Sequence, residues 1–172
     1  MTLRALSQAL FALILAGVLS ACVSNGGGSA AGPTEYYEVH RDGRIYVFAD
    51  RFTFDQFQVE GETPFRVTRI AEGPQGETLV FAISEEDRTK TRGLPAPDLY
   101  DGKRKPSALY AEVHKDGQIY LTDSMDSVVR LRNGEAVETA QQHATTGPEG
   151  ETVLLINSGG NGNLLEVFQR YQ

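Results

Sequence analysis

Two runs of the chain carry side chains whose types and spacing can do chemistry. Glu38, His40 and Tyr46 stand in Glu38-Val39-His40-Arg41-Asp42-Gly43-Arg44-Ile45-Tyr46, and Glu112, His114 and Tyr120 recur in Glu112-Val113-His114-Lys115-Asp116-Gly117-Gln118-Ile119-Tyr120. A carboxylate, an imidazole and a phenol held close together can ligate a metal, supply a base or present a polar binding surface. A metal shared by His40 and His114, with Glu38 and Glu112 as further ligands, requires the two hairpin tips to meet on a pseudo-twofold axis. Catalysis asks for more than the chain offers. Its sole thiol is Cys22, its histidines are His40, His114 and His143, and no hydrolase or metalloprotease signature occurs. The expectation is no catalytic residue, no metal and no cofactor, with Glu38, His40, Tyr46, Glu112, His114 and Tyr120 as a candidate binding surface presented twice. The competing reading is local: each Glu pairs with a cross-strand Tyr and each His caps its turn.

The elements that must position these residues follow from the repetition. Gly73-Pro74-Gln75-Gly76-Glu77-Thr78 returns as Gly147-Pro148-Glu149-Gly150-Glu151-Thr152, and His40 and His114 share that same spacing of 74 residues. The chain is read as a tandem repeat without net insertion. Tyr36 to Phe48 is expected to form a β-hairpin around Asp42-Gly43. A three-residue loop, Arg41 to Gly43, would pair Val39 with Ile45 and Tyr37 with Val47 on a wholly apolar core face, leaving Glu38, His40, Arg44 and Tyr46 opposite. The second copy repeats that pattern, with Glu112, His114, Gln118 and Tyr120 on its polar face.

Asp50 to Val59 reads as a short helix, with Thr53 and Gln56 at capping-box spacing, Phe54 and Phe57 on one face and Gly61 as the stop. Asp123-Ser124, Val128, Leu131 and Asn133-Gly134 repeat the arrangement. Phe65 to Ala71 and Thr78 to Ile83 make a second hairpin. The expected organisation is a signal segment (1–21), a tether (22–35), repeat 1 (36–84), a proline-broken surface linker (85–106), and repeat 2 with a terminal helix (107–172). The fold class is α+β: two hairpin-helix-hairpin units of antiparallel sheet with short helices, in one sheet or two lobes. The glycine- and asparagine-rich run 157–163 lacks the carboxylates and stacked copies of a calcium-binding repeat and reads as a turn.

Composition bounds the partners. The net charge is −7, and loss of the leader, whose one charged residue is Arg4, makes it more acidic. That argues against a nucleic-acid partner, whose binding rests on clustered Lys and Arg. One cysteine excludes an internal disulfide. Residues 1–21 have a basic start, an apolar run from Ala9 to Leu19, which is too short to span a bilayer, and small residues before Cys22. Leu19-Ser20-Ala21-Cys22 resembles the lipobox of bacterial lipoproteins. The resemblance implies cleavage before Cys22, lipidation of its thiol, and, with Val23 following, an outer-membrane anchor facing the periplasm. Val23 to Thr34 is uncharged and rich in Gly, Ser and Ala, a tether with a span of roughly 20 Å.

The paired motifs of the body look like those of a group of exported proteobacterial proteins with two such repeats. The expected function is a non-catalytic envelope lipoprotein that binds another protein through its sheet edges or its duplicated polar face. The alternative is a glycan-binding lipoprotein in which Tyr36, Tyr46, Tyr110 and Tyr120 serve as stacking platforms.

Overall fold

The computed structural model describes residues 32–156 and 163–172, apart from the side chains of 140–144. The signal segment, Cys22, nearly all of the tether and the glycine-rich run at 157–162 lie outside the described residues.

Aromatic and β-branched residues build the first antiparallel pair, β1 (Thr34–Arg41) and β2 (Arg44–Phe48). Arg41 pairs with Arg44, His40 with Ile45 and Val39 with Tyr46. The loop is therefore Asp42-Gly43 alone, with φ of 52° and 68°. These positive values suit a two-residue turn whose twist matches the strands. The second hairpin, β5 (Leu109–Lys115) and β6 (Gln118–Thr122), turns in the same way at Asp116-Gly117. The three-residue loop expected from the sequence is incorrect. It assumed one core face and one polar face, whereas Tyr36, Tyr37, Glu38 and Val39 are all buried. With both faces covered, apolar alternation no longer selects the register.

Helix α1 (Arg51–Glu60) starts at Asp50, whose carboxylate accepts from the Thr53 amide at 2.8 Å, so Asp50 and not Thr53 is the cap. It ends at Gly61, left-handed at φ 75°. Helix α2 (Pro95–Tyr100) begins on a proline, which loses nothing at a first helical position. The linker is longer than a compact domain usually needs, which leaves room for part of it to order against the body, and α2 does so by burying Ala96 and Leu99. Helix α3 (Met125–Arg132) is capped by Ser124, and α4 (Leu164–Arg170) closes the chain. The remaining strands are β3 (Arg66–Arg69), β4 (Thr78–Ala82), β7 (Thr139–Thr146) and β8 (Thr152–Ile156).

All eight strands join one sheet in the order β3-β4-β2-β1-β5-β6-β8-β7. The class is α+β, but the sheet is mixed: β1 with β5, β2 with β4, and β6 with β8 run parallel. Parallel neighbours need a crossover connection: α1 lies in the one between β2 and β4, α3 in the one between β6 and β8, and the rest of the first half of the body separates β1 from β5. Phe54 and Phe57 of α1, with Leu164 and Phe168 of α4, pack on one face of the sheet. Ala96 and Leu99 of α2, with Val128 and Leu131 of α3, pack on the other. Burying a phenylalanine side chain is worth about 1.5–3 kcal/mol, so Phe54 and Phe57 anchor α1 firmly.

The central parallel pair carries the consequence for the polar residues. Tyr36 sits beside Ala111, and Glu38 beside Val113, one residue out of step with the 74-residue repetition. Since side chains alternate across a strand, matching residues of the two motifs fall on opposite faces. Glu38 and His40 share the face of α2 and α3, while Glu112 and His114 share the face of α1 and α4.

Candidate functional site: two buried carboxylate networks

The first network centres on Glu38, which is 0 % exposed. Tyr36 donates its hydroxyl to Oε2 at 2.5 Å, and the His40 Nε2 lies 2.8 Å from Oε1. An ionised carboxylate only accepts, so Nε2 carries the proton. Arg132, near the end of α3, donates to Oε2 from Nε at 3.0 Å and from a terminal nitrogen at 2.9 Å, and to the Tyr36 hydroxyl at 2.7 Å. The Tyr100 ring covers the guanidinium, 3.7 Å from its carbon. Burial pushes the Glu38 carboxyl up, but the His40 hydrogen bond and the Arg132 charge outweigh it and hold it below the usual carboxylate range. Burial and the neighbouring Glu38 charge raise the Tyr36 phenol, which stays a donor.

The second network repeats the chain-local part. Tyr110 donates to Glu112 Oε2 at 2.8 Å, and His114 Nε2 lies 2.6 Å from Oε1. Burial, with the Glu112 charge beside it, raises the Tyr110 phenol. The cation differs. Arg51, at the start of α1, keeps a terminal nitrogen 4.0 Å from Glu112 Oε2 and gives its other terminal nitrogen to the Tyr171 carbonyl at 3.1 Å. Its Nε pairs with Asp55 at 2.6 Å.

Each carboxylate thus meets an arginine from the opposite half of the chain. The one-residue offset is the cause: it turns Glu38 towards α3 and Glu112 towards α1. Neither arginine was legible in the repetition, because Arg132 matches Gln58 and Arg51 matches Met125 at the 74-residue spacing. Tyr36 and Tyr110 stand two residues before each Glu, on the same face of the strand, and that spacing is the signal that could have found them.

The six candidate residues, expected as a surface presented twice, are partly buried. Glu38, Glu112 and Tyr46 are buried, and Tyr46 lies on the face opposite Glu38 and His40. Tyr46 accepts a hydrogen bond from Arg44 at 3.1 Å, and the half-buried Tyr120 donates to Gln118. The cross-strand Glu–Tyr pairing is absent, since each Glu takes the tyrosine two residues before it. Of the four tyrosines considered as glycan platforms, Tyr36, Tyr46 and Tyr110 are buried in the core and Tyr120 is half-buried. His40 and His114 lie on opposite faces and share no ion, and no metal-holding group of three His, Cys, Asp or Glu occurs among the described residues.

Chemically, Glu38 is a neutralised carboxylate with its acceptor sites occupied from within the fold, whereas Glu112 accepts from Tyr110 beside His114 and meets Arg51 only at 4.0 Å. A buried charge costs several kcal/mol unless paired and hydrogen-bonded, and the Tyr, His and Arg partners supply that compensation for Glu38. Its chemistry is cohesion: strand β1 is tied to α3. No protein-family model matches the chain, and no curated protein or solved structure is significantly similar to it.

Proposed function

We propose that this protein is a lipid-anchored envelope protein, attached through Cys22 to the periplasmic side of the outer membrane, which binds another envelope protein without catalysing a reaction. The lipobox and the uncharged tether support the anchor. The observation that carries the binding reading is on α1, whose inner stripe is spent on the core while Phe52 and Val59, seven residues apart on one stripe, are 69 % and 87 % exposed. Large apolar side chains repeated on one solvent-facing stripe mark a protein contact more readily than scattered ones. The polar residues first expected to bind are engaged with one another, which moves the reading from the duplicated motif to this helix and to the sheet edges.

The test is photo-crosslinking in native envelopes with probes at Phe52 and Val59, followed by mass spectrometry. One recurrent envelope protein, lost in Phe52→Asp, supports the proposal. Capture no greater than that of an anchor-and-tether control refutes it. The anchor is tested separately: Cys22→Ala should abolish palmitate labelling and release the protein from membranes, and retained labelling would refute lipidation at Cys22.

A further inference from the structure

Arg104 and Lys105 stand exposed between α2 and β5, and neither forms an ion pair among the described residues, whereas the neighbouring Lys103 is held by Asp101 at 2.8 Å. Asp126, exposed in the first turn of α3, and the half-buried Asp123 before it are likewise unpaired among the described residues. Both signs of charge line one cleft of about 430 Å³ without closing on each other. That volume falls within the about 300–1,000 Å³ of small-molecule sites. Val129, 38 % exposed, and the half-buried Met125 add an apolar wall. Unlike Glu38 and Glu112, each of these groups can be reached from solvent. The cleft also sits at the end of the sheet where the chain enters it. Leu109, in its wall, pairs with Thr34, and the Thr34 amide donates to the Ala108 carbonyl at 2.9 Å. Cys22 precedes Thr34 by 12 residues, which span at most about 43 Å when fully extended.

We propose that this cleft binds the headgroup of phosphatidylethanolamine in the membrane that holds the anchor. The proposal rests on reading Cys22 as a lipid anchor, since the anchor is what keeps a bilayer within reach. Two cations and two carboxylates around one space ask for a ligand that carries both signs. A phosphate takes the planar guanidinium of Arg104 through paired N–H donors and the ammonium of Lys105 as a point charge. The primary ammonium of ethanolamine has N–H donors for Asp126 and Asp123. Choline carries the charge without a donor, and a glycerol headgroup has no positive charge for the carboxylates. An α-amino acid holds both charges on one carbon, too close together to serve groups that do not reach each other. Met125 and Val129 pack against the C–H groups of the headgroup, while the acyl chains stay in the bilayer. Weak binding suffices, because a short tether turns the second contact into an intramolecular one at an effective concentration of about millimolar. The cleft shares no residue with the exposed stripe of α1.

Met125 supplies the reporter, because removal of residues 1–21 leaves it the sole methionine. The full lipoprotein in a maltoside detergent, with its methionine methyl isotope-labelled for NMR, is titrated with glycerophosphoethanolamine. Glycerophosphocholine, glycerophosphoglycerol, alanine and glycylglycine are the controls, and loss of the resonance in Met125→Leu assigns it. Glycerophosphoethanolamine should shift the Met125 methyl with a Kd on the order of millimolar, at least about threefold tighter than any control. Arg104→Gln combined with Lys105→Gln should weaken that binding at least about tenfold, and Asp126→Asn should erase the preference over choline. All three positions are exposed, and an unchanged circular dichroism spectrum checks the fold. The same shift should appear in nanodiscs of mixed phosphatidylethanolamine and phosphatidylcholine and be absent from phosphatidylcholine alone. No shift, a control that binds equally well, or binding unchanged in the Arg104 and Lys105 variant overturns the proposal. A shift by the soluble headgroup without one in the mixed nanodiscs overturns it for the lipid. The mass of the purified protein reads lipidation separately: an unmodified Cys22 refutes the anchor, and the Met125 titration, which needs no anchor, then decides the cleft alone.

Discussion

Arg132→Met should destabilise the protein far more than Arg51→Met, although the sequence presents Glu38 and Glu112 as equivalent. Removing Arg132 leaves Glu38 fully buried with only Tyr36 and His40 to satisfy it. Breaking a buried pair by deleting one partner costs about 3–5 kcal/mol. Arg51 is 20 % exposed, touches Glu112 only at 4.0 Å, and loses one hydrogen bond to a carbonyl and a half-exposed pair with Asp55. Those contacts together amount to about 1–2 kcal/mol. Urea denaturation, read at constant m-value, measures both. At about 3–4 °C per kcal/mol for a body of this size, the Arg132 variant should melt roughly 10–20 °C lower and the Arg51 variant no more than about 8 °C lower. The double variant Glu38→Gln with Arg132→Met removes the orphaned charge and should recover part of the loss. Equal losses for the two arginine variants, or no recovery in the double variant, would refute the account of Glu38 as a buried, arginine-compensated charge.

Because the folded state depresses the Glu38 carboxyl, its contribution is present above the unfolded value of about 4.3 and is lost as pH falls through the lower folded value. Stability measured between pH 5 and pH 3 should therefore fall, and Glu38→Gln, less stable at neutral pH, should show a shallower fall; parallel curves would contradict the sign. Asp50→Ala should cost about 1 kcal/mol through the lost cap of α1, while Gln56→Ala should cost only a few tenths; the reverse order would restore the capping box at Thr53. Gly43→Ala, at φ 68° in a two-residue turn, should cost about 1 kcal/mol or more by the same denaturation assay; a neutral result would count against that turn.

The hairpins, helices α1, α3 and α4 and their stops were legible because each depends on a few neighbouring residues, whereas α2 lies in what read as a proline-broken linker. Asp-Gly and Asn-Gly pairs, Gly61 and the Phe54 and Phe57 spacing act locally, and their elements appear within a residue or two of the expected bounds. The turn length was misread because the choice depended on what covers the sheet. One covered face would have favoured the pairing of Val39 with Ile45; helices on both faces permit Val39 opposite Tyr46 and bury Glu38. The burial of Glu38, Glu112 and Tyr46 was hidden for the same reason. Glu38 and His40 belong to a recognisable motif, but its meaning rests on Arg132, which lies 94 residues from Glu38 and has no counterpart in the other copy.

Read alone, the chain establishes a 74-residue internal repetition, an acidic composition, the local elements of an α+β fold and the motif in which Cys22 stands. Folding in three dimensions settled the sheet order, the faces of its strands and the partners of its buried charges. The pairing of β1 with β5 one residue out of step with the repetition is a long-range choice that neither copy encodes within itself. A shift of one residue moves every side chain of a strand to the other face. That single step carried two identical Glu-x-His motifs to opposite sides of the sheet, closing one around Arg132 and leaving the other open beside Arg51.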